Sequence, residues 1–162
     1  LGSKFASEIL VQSYARLMQA IIVRPFFIFG PGQNHNMLIP RLLDTVASES
    51  PVKLDGQDGI TINPIYVDDA ADALVRCLTV QEGGIFNLAG AESLSIREIG
   101  EHIARLVGKS LVVSSSSKKP ENLIGSISKM SSVLGAPSAS FVQGLELMVH
   151  KRIKHSPIVR PV

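Results

Sequence analysis

Apolar residues fall on one side of a helical wheel from Ser3 to Met18, at Phe5, Ile9, Leu10, Tyr14, Leu17 and Met18, and that spacing predicts an amphipathic helix. Ala20 to Val23 follows as a β-branched run with no polar alternation, stopped at Pro25. It predicts a strand buried on both faces of a parallel sheet. Such a strand cannot be an edge, so it calls for a partner strand from residues outside this sequence. Gly30 to Asn34 breaks the chain into a loop. A helix over Leu38 to Ala47, a strand at Val52 to Leu54 and a turn at Asp55 to Gly59 come next. A second strand-like run covers Ile60 to Val67, with Asp68 and Asp69 capping the helix that starts there. Ile85 to Leu88 reads as a strand. Ser95 to Val107 carries a full helix start, with Ser95 and Glu98 as a capping box and Leu94 and Ile99 as a hydrophobic staple, and Gly108 ends it. Val112 and Val113 form a weak strand, and helices near Lys129 to Leu134 and Phe141 to Ile153 close the chain. Strands alternating with helices imply an α/β fold with a parallel or mixed sheet.

Composition narrows the class. Of 162 residues, 45% are hydrophobic and 19% charged, and a mean hydropathy of +0.25 belongs to a folded body rather than a disordered one. No apolar run approaches the ~18 residues of a membrane span, so no membrane partner is expected. The chain opens Leu1-Gly2-Ser3-Lys4 without an initiator Met or a signal-like segment, and reads as a piece of something longer. One cysteine, Cys77, leaves no internal disulfide and fits a reducing, cytoplasmic compartment. Charge is uneven: Lys151, Arg152, Lys154 and Arg160 lie after His150, and the remaining 12 cations face 14 carboxylates, a net −2. Four interrupted cations read as a solvated tail, and with two tyrosines and no tryptophan for stacking no nucleic-acid partner is expected. The histidines His35, His102, His150 and His155 have no metal-ligand spacing, so no metal is expected. His102 is expected at the surface.

Four segments carry chemistry in company: Lys4 followed by Phe5-Ala6-Ser7-Glu8, Arg24-Pro25-Phe26-Phe27-Ile28-Phe29-Gly30-Pro31-Gly32-Gln33, Tyr66-Val67-Asp68-Asp69, and Phe86-Asn87-Leu88-Ala89-Gly90. In this order and spacing, from Leu1 to about Leu145, the chain resembles the C-terminal half of the extended short-chain dehydrogenase/reductase family, the NAD-dependent sugar epimerases and dehydratases. The resemblance implies the C-terminal part of a Rossmann-like, doubly wound parallel sheet plus a smaller mixed α/β substrate-binding lobe. Residues 1–33 would be a remnant of the dinucleotide-binding domain. Residues 34–162 would be mainly the substrate lobe, with 60–80 returning to the Rossmann sheet.

It also implies a Tyr-x-x-x-Lys pair whose lysine is Lys4 and whose tyrosine stands one position before Leu1. Residues four apart share a helical face, and an ammonium there lowers a phenol's pKa toward neutrality while holding the nicotinamide ribose. The expected sites are then Lys4 as catalytic and cofactor residue, Pro25 and Phe26 against NAD or NADP, and Phe27, Asn34, His35 and Asn63 toward a small-molecule substrate. The helix carrying Lys4 would also supply a homodimer interface, with Tyr14 and Leu17 as candidates.

Three departures accompany the resemblance. Phe27 stands where nucleotide-sugar members usually carry an Asn. Ile62-Asn63-Pro64 stands where a phosphate-binding Arg commonly does, and a second Arg expected near Asn122 is missing. These losses argue against a nucleotide diphosphate, with Lys118 or Lys119 as possible substitutes. The expected function is the C-terminal half of an NAD(P)-dependent epimerase or dehydratase acting on a secondary alcohol or ketone, inactive on its own. The alternative is a non-catalytic binding module on the same fold.

Overall fold

The structure is a computed structural model that describes residues 2–81 and 83–155. In chain order the elements are α1 (Gly2–Ser13), β1 (Ile21–Pro25), β2 (Ile28–Phe29), α2 (Leu38–Ala47), β3 (Val52–Asp55), β4 (Thr61–Ile62), β5 (Ile65–Tyr66), α3 (Val67–Cys77), β6 (Gly84–Leu88), β7 (Leu94–Ser95), α4 (Ile96–Val107), β8 (Val113–Ser116), α5 (Ser128–Val133) and α6 (Phe141–His155). This is an α/β fold. β1 runs parallel to β6, β2 to β5 and β3 to β8, while β4 and β7 are antiparallel.

Several boundaries differ from the sequence pattern, each for a local reason. The first helix ends at Ser13, because the backbone tightens into i→i+3 bonds from Tyr14 N–H to Val11 O and Leu17 N–H to Tyr14 O. β1 is only half-buried rather than buried on both faces. Its partner on one side lies within the chain, since Ile21 to Pro25 pair with Gly84 to Leu88. Among the described residues nothing pairs with its other edge. The run from Ile60 to Val67 is not one strand but β4 and β5, separated by Asn63 and Pro64, and Val67 already belongs to α3. Proline lacks the N–H that a continuous ladder needs. The weak strand at Val112 lies one to three residues later, at Val113 to Ser116, where it pairs with β3.

Two cores result. One gathers Ile65, Ala70, Ala73, Phe86, Leu88, Met130 and Leu134 between β6, α3 and α5. The other packs α2, α4 and α6 over β3 and β4, with Leu42, Ile62, Ile99, Ile103, Phe141 and Leu145 all buried. Full burial of each such side chain contributes about 1.5–3 kcal/mol.

The α4 start forms as its sequence predicts. Ser95 Oγ accepts from the Glu98 N–H, the Glu98 carboxylate accepts from the Ser95 N–H at 2.8 Å, and Gly108 closes the helix at φ 65°. Those hydrogen bonds hold the Glu98 carboxyl below its ordinary value. α3 starts differently from expectation. Its N-cap is Tyr66 without a side-chain bond, and Asp69 accepts instead from Ser138 N–H, Ser138 Oγ and Ala139 N–H at 2.7–3.0 Å, tying α3 to the loop before α6. His102 is half-buried rather than at the surface, its ring 6.0 Å from that of Phe141. Arg160 and the residues from Ser156 on lie outside the described residues, as do the side chains of Arg152 and Lys154.

Candidate active site

Strand alternation assigns the two faces of the β1–β6 pair. Ile21 and Val23 pack with Phe86 and Leu88 on the core side. Ile22 and Ile85 line the opposite side, in a cleft of about 450 Å³ shared with Gln12 and Met18. Arg24, two residues on from Ile22, shares that second face. There it meets Glu8 of α1 in a forked contact, Nε to Oε1 at 3.0 Å and Nη2 to Oε2 at 2.5 Å. The Arg24 hydrogen bond holds the Glu8 carboxyl below its ordinary value, and the same bond raises the guanidinium's.

With Gln12 level with Ile22 and Glu8 level with Arg24, α1 runs antiparallel to β1. Lys4 lies one turn further on the Glu8 face, and at 1.5 Å rise per residue it stands about 6 Å beyond Glu8. The carboxyl ends of β1 and β6 lie at Pro25 and Leu88. In open α/β sheets ligands bind in the crevice outside those ends.

Just past the carboxyl end of β1, a floor is built by backbone closeness. The Phe26 N–H donates to Leu88 O at 2.8 Å, continuing the β1–β6 ladder. The Phe26 ring lies 3.0 Å from where a Cβ on Gly125 would stand, so only glycine lets the ring settle there. Asn63, 3% exposed, clamps the floor from below. Its amide nitrogen donates to Gly125 O at 2.8 Å and Gly90 O at 3.3 Å, and its Oδ1 accepts from the Gly125 N–H at 2.9 Å. A Cβ on Gly90 would approach Pro64 O to 2.0 Å, which fixes glycine at the point where β6 leaves the sheet.

The other expected site residues each have their own surroundings. Phe27 is half-buried against the α2–α4–α6 core, with its backbone in the left-handed region at φ 46°. A non-glycine residue there costs roughly 1–2 kcal/mol, and Asn tolerates it better than Phe. Asn34 is exposed in the loop after β2 and accepts from the Asn36 N–H. His35 is exposed beside it, its Nδ1 2.9 Å from the Asp44 carboxylate on α2. Asn122 accepts from the Thr61 N–H and Lys118 pairs with Asp55 at 3.2 Å. Burial pushes the half-buried Cys77 thiol up, so it offers little thiolate at neutral pH.

Sequence reasoning did not find the Glu8–Arg24 pair, the Asn63 clamp or the Gly125 seat. Only the first left a readable trace, a carboxylate four residues after Lys4.

Residues 2–89 match the model of the NAD dependent epimerase/dehydratase family. A UDP-glucuronate 4-epimerase from Thermodesulfobacterium geofontis is 31% identical over 67% of this chain and 34% of its own length. A dTDP-4-dehydro-6-deoxy-D-allose reductase from a Streptomyces species is 25% identical over 93% of this chain and 50% of its own. The crystal structure of UDP-glucuronic acid 4-epimerase from Bacillus cereus in complex with UDP-glucuronic acid and NAD superposes with a TM-score of 0.80 at 25% identity, over 93% of this chain and 51% of that one. The chain thus spans a third to a half of the length of these relatives.

Proposed function

The chain belongs to the NAD dependent epimerase/dehydratase family, and from that membership we propose that it is the Lys4-bearing, substrate-side half of an NAD(P)-dependent epimerase or dehydratase. One observation carries the reading: Glu8 of α1 is forked onto Arg24 of β1, one helical turn from Lys4 and beside the carboxyl ends of β1 and β6, and on our reading Lys4 stands over those ends. A bound nicotinamide would accept or return hydride at the carbinol carbon of a secondary alcohol or ketone. The residues present fit it. Lys4 offers three N–H donors to ribose hydroxyls, and its charge favours the ionised form of a neighbouring phenol acting as acid and base. Pro25 and Phe26 supply an apolar wall at the reacting ring. Asn34 and His35 on the exposed loop, with Phe27 behind them, face the substrate side.

The relatives named above act on nucleotide-linked sugars, so UDP- and dTDP-sugars are the first substrates to try. Phe27, Asn63 and Asn122 bring no cation to a diphosphate, so sugar-derived alcohols without one form the second panel. Two further parts of the proposal concern the whole protein. It pairs with a second copy through α1 and the turn after it, where Phe5 is 65% and Leu17 81% exposed, and it works in a reducing cytoplasm, consistent with free Cys77. No helix among the described residues is long and apolar enough to cross a membrane.

The test is nicotinamide absorbance in the full-length parent protein during turnover. Hydride transfer that falls at least about a hundredfold on Lys4→Met supports the reading. Retention of the wild-type rate contradicts it.

A further inference from the structure

α1 contributes no buried side chain. Phe5, Ile9 and Leu10 are each more than half exposed, so packing within this chain does not fix the rotation of the helix about its axis. The described side-chain hydrogen bonds that join α1 to the sheet are those between Glu8 and Arg24. A guanidinium forked onto a carboxylate fixes orientation as well as distance. Lys4 lies one turn from Glu8 on the same face, so the pair sets where the Lys4 ammonium points. A slip of one residue in helix register would rotate Lys4 by about 100° and aim it away from the crevice. Arg24 in turn is anchored in β1, opposite Asn87 and directly before Pro25 and Phe26. One strand therefore fixes both the wall of the crevice and the lysine above it.

We propose that Glu8 and Arg24 are positioning residues for Lys4, acting as a latch that fixes the rotation of α1 over the carboxyl edge of the sheet. The inference rests on the catalytic reading of Lys4. Exposed ion pairs add little to folding stability, and the side chains here are 21% and 45% exposed. The latch therefore acts on chemistry rather than on folding. A misplaced Lys4 stabilises a neighbouring phenolate less, and since that phenolate takes the alcohol proton as hydride leaves for NAD, the acidic limb of the rate profile moves to higher pH.

The experiment uses the full-length parent protein with its nicotinamide cofactor and compares wild type, Lys4→Met, Glu8→Gln, Arg24→Gln and the swap Glu8→Arg/Arg24→Glu. Either single neutralisation is expected to lower kcat at least about tenfold with KM within about twofold, and to shift the acidic limb upward. The melting temperature stays near wild type, and the swap recovers most of kcat. An unchanged kcat and pH limb in Glu8→Gln overturns the latch. If a single variant loses stability, the swap decides: a restored Tm with restored kcat supports the latch, and a restored Tm without it overturns it. Lys4→Met separates the two readings. Full activity there removes the catalytic role of Lys4 itself. Inactivity there beside a wild-type Glu8→Gln removes the latch alone.

Discussion

At the scale of single residues, Asn63 shows how much of a polar side chain's work can lie in contacts far along the chain. In the sequence it is an asparagine beside a proline, in a place that suggests a ligand contact. In the fold its amide holds backbone groups 27 and 62 residues away, and no local pattern encodes contacts of that separation. Asn63→Ala leaves buried N–H and C=O groups of Gly90 and Gly125 without partners, each costing about 1–3 kcal/mol. We expect a loss of about 3 kcal/mol in urea unfolding. Phe27 is a second case: the sequence shows a departure from the family's usual Asn, and the structure adds that the backbone there is left-handed.

Ser95, by contrast, was legible outright, because a capping box uses residues three apart. Ser95→Ala should cost about 1 kcal/mol, and the loss should depend on pH. Glu98 has its carboxyl lowered by Ser95, so its contribution is present above its ordinary value of 4.5 and fades as pH falls through the lower folded-state value. Urea unfolding at neutral and strongly acidic pH should show the gap between variant and wild type narrowing in acid without closing, because the Ser95 Oγ bond to the Glu98 N–H does not titrate.

Among elements, the legible ones are those whose signal is local and long. The helices at Leu38–Ala47 and Ile96–Val107 stand as the hydrophobic period places them. The two-residue strands β2, β4, β5 and β7 are too short for any period to show, and they exist because distant segments meet. The β4–β7 pair joins residues more than thirty apart, and its nearness to Asn63 and Pro64 breaks what the sequence presents as one strand. β6 ends where Gly90 passes Pro64. Gly90→Ala puts a methyl 2.0 Å from Pro64 O, and that contact is with backbone rather than a movable side-chain tip. We expect overpacking to cost about 3 kcal/mol, seen as a lower thermal midpoint, with the β6 end and the Phe26 floor pushed apart.

On the scale of the whole molecule, the half-open state of β1 and the exposed apolar side of α1 belong together. β1 has one paired edge among the described residues, α1 presents Phe5, Ile9 and Leu10 outward, and Tyr14 and Leu17 in the turn after it are exposed too. The sequence pattern called for a partner to the β1 strand from outside the chain and offered the Lys4 helix as a dimer face, yet it could not say that one edge of β1 would find its partner inside the chain, because that depends on β6 some sixty residues later. The 162 residues alone are expected to bind a reporter dye for exposed apolar surface, to bind NAD weakly and to give no turnover. We propose that Lys4, over the carboxyl ends of β1 and β6, serves hydride transfer. The most direct measurement is the single-turnover change in nicotinamide absorbance when a UDP- or dTDP-sugar is added to the full-length parent protein with NAD, for wild type and Lys4→Met side by side. Wild type should give a transient or net reduced-nicotinamide signal, at least about a hundredfold slower in Lys4→Met. Equal traces from the two proteins would contradict it.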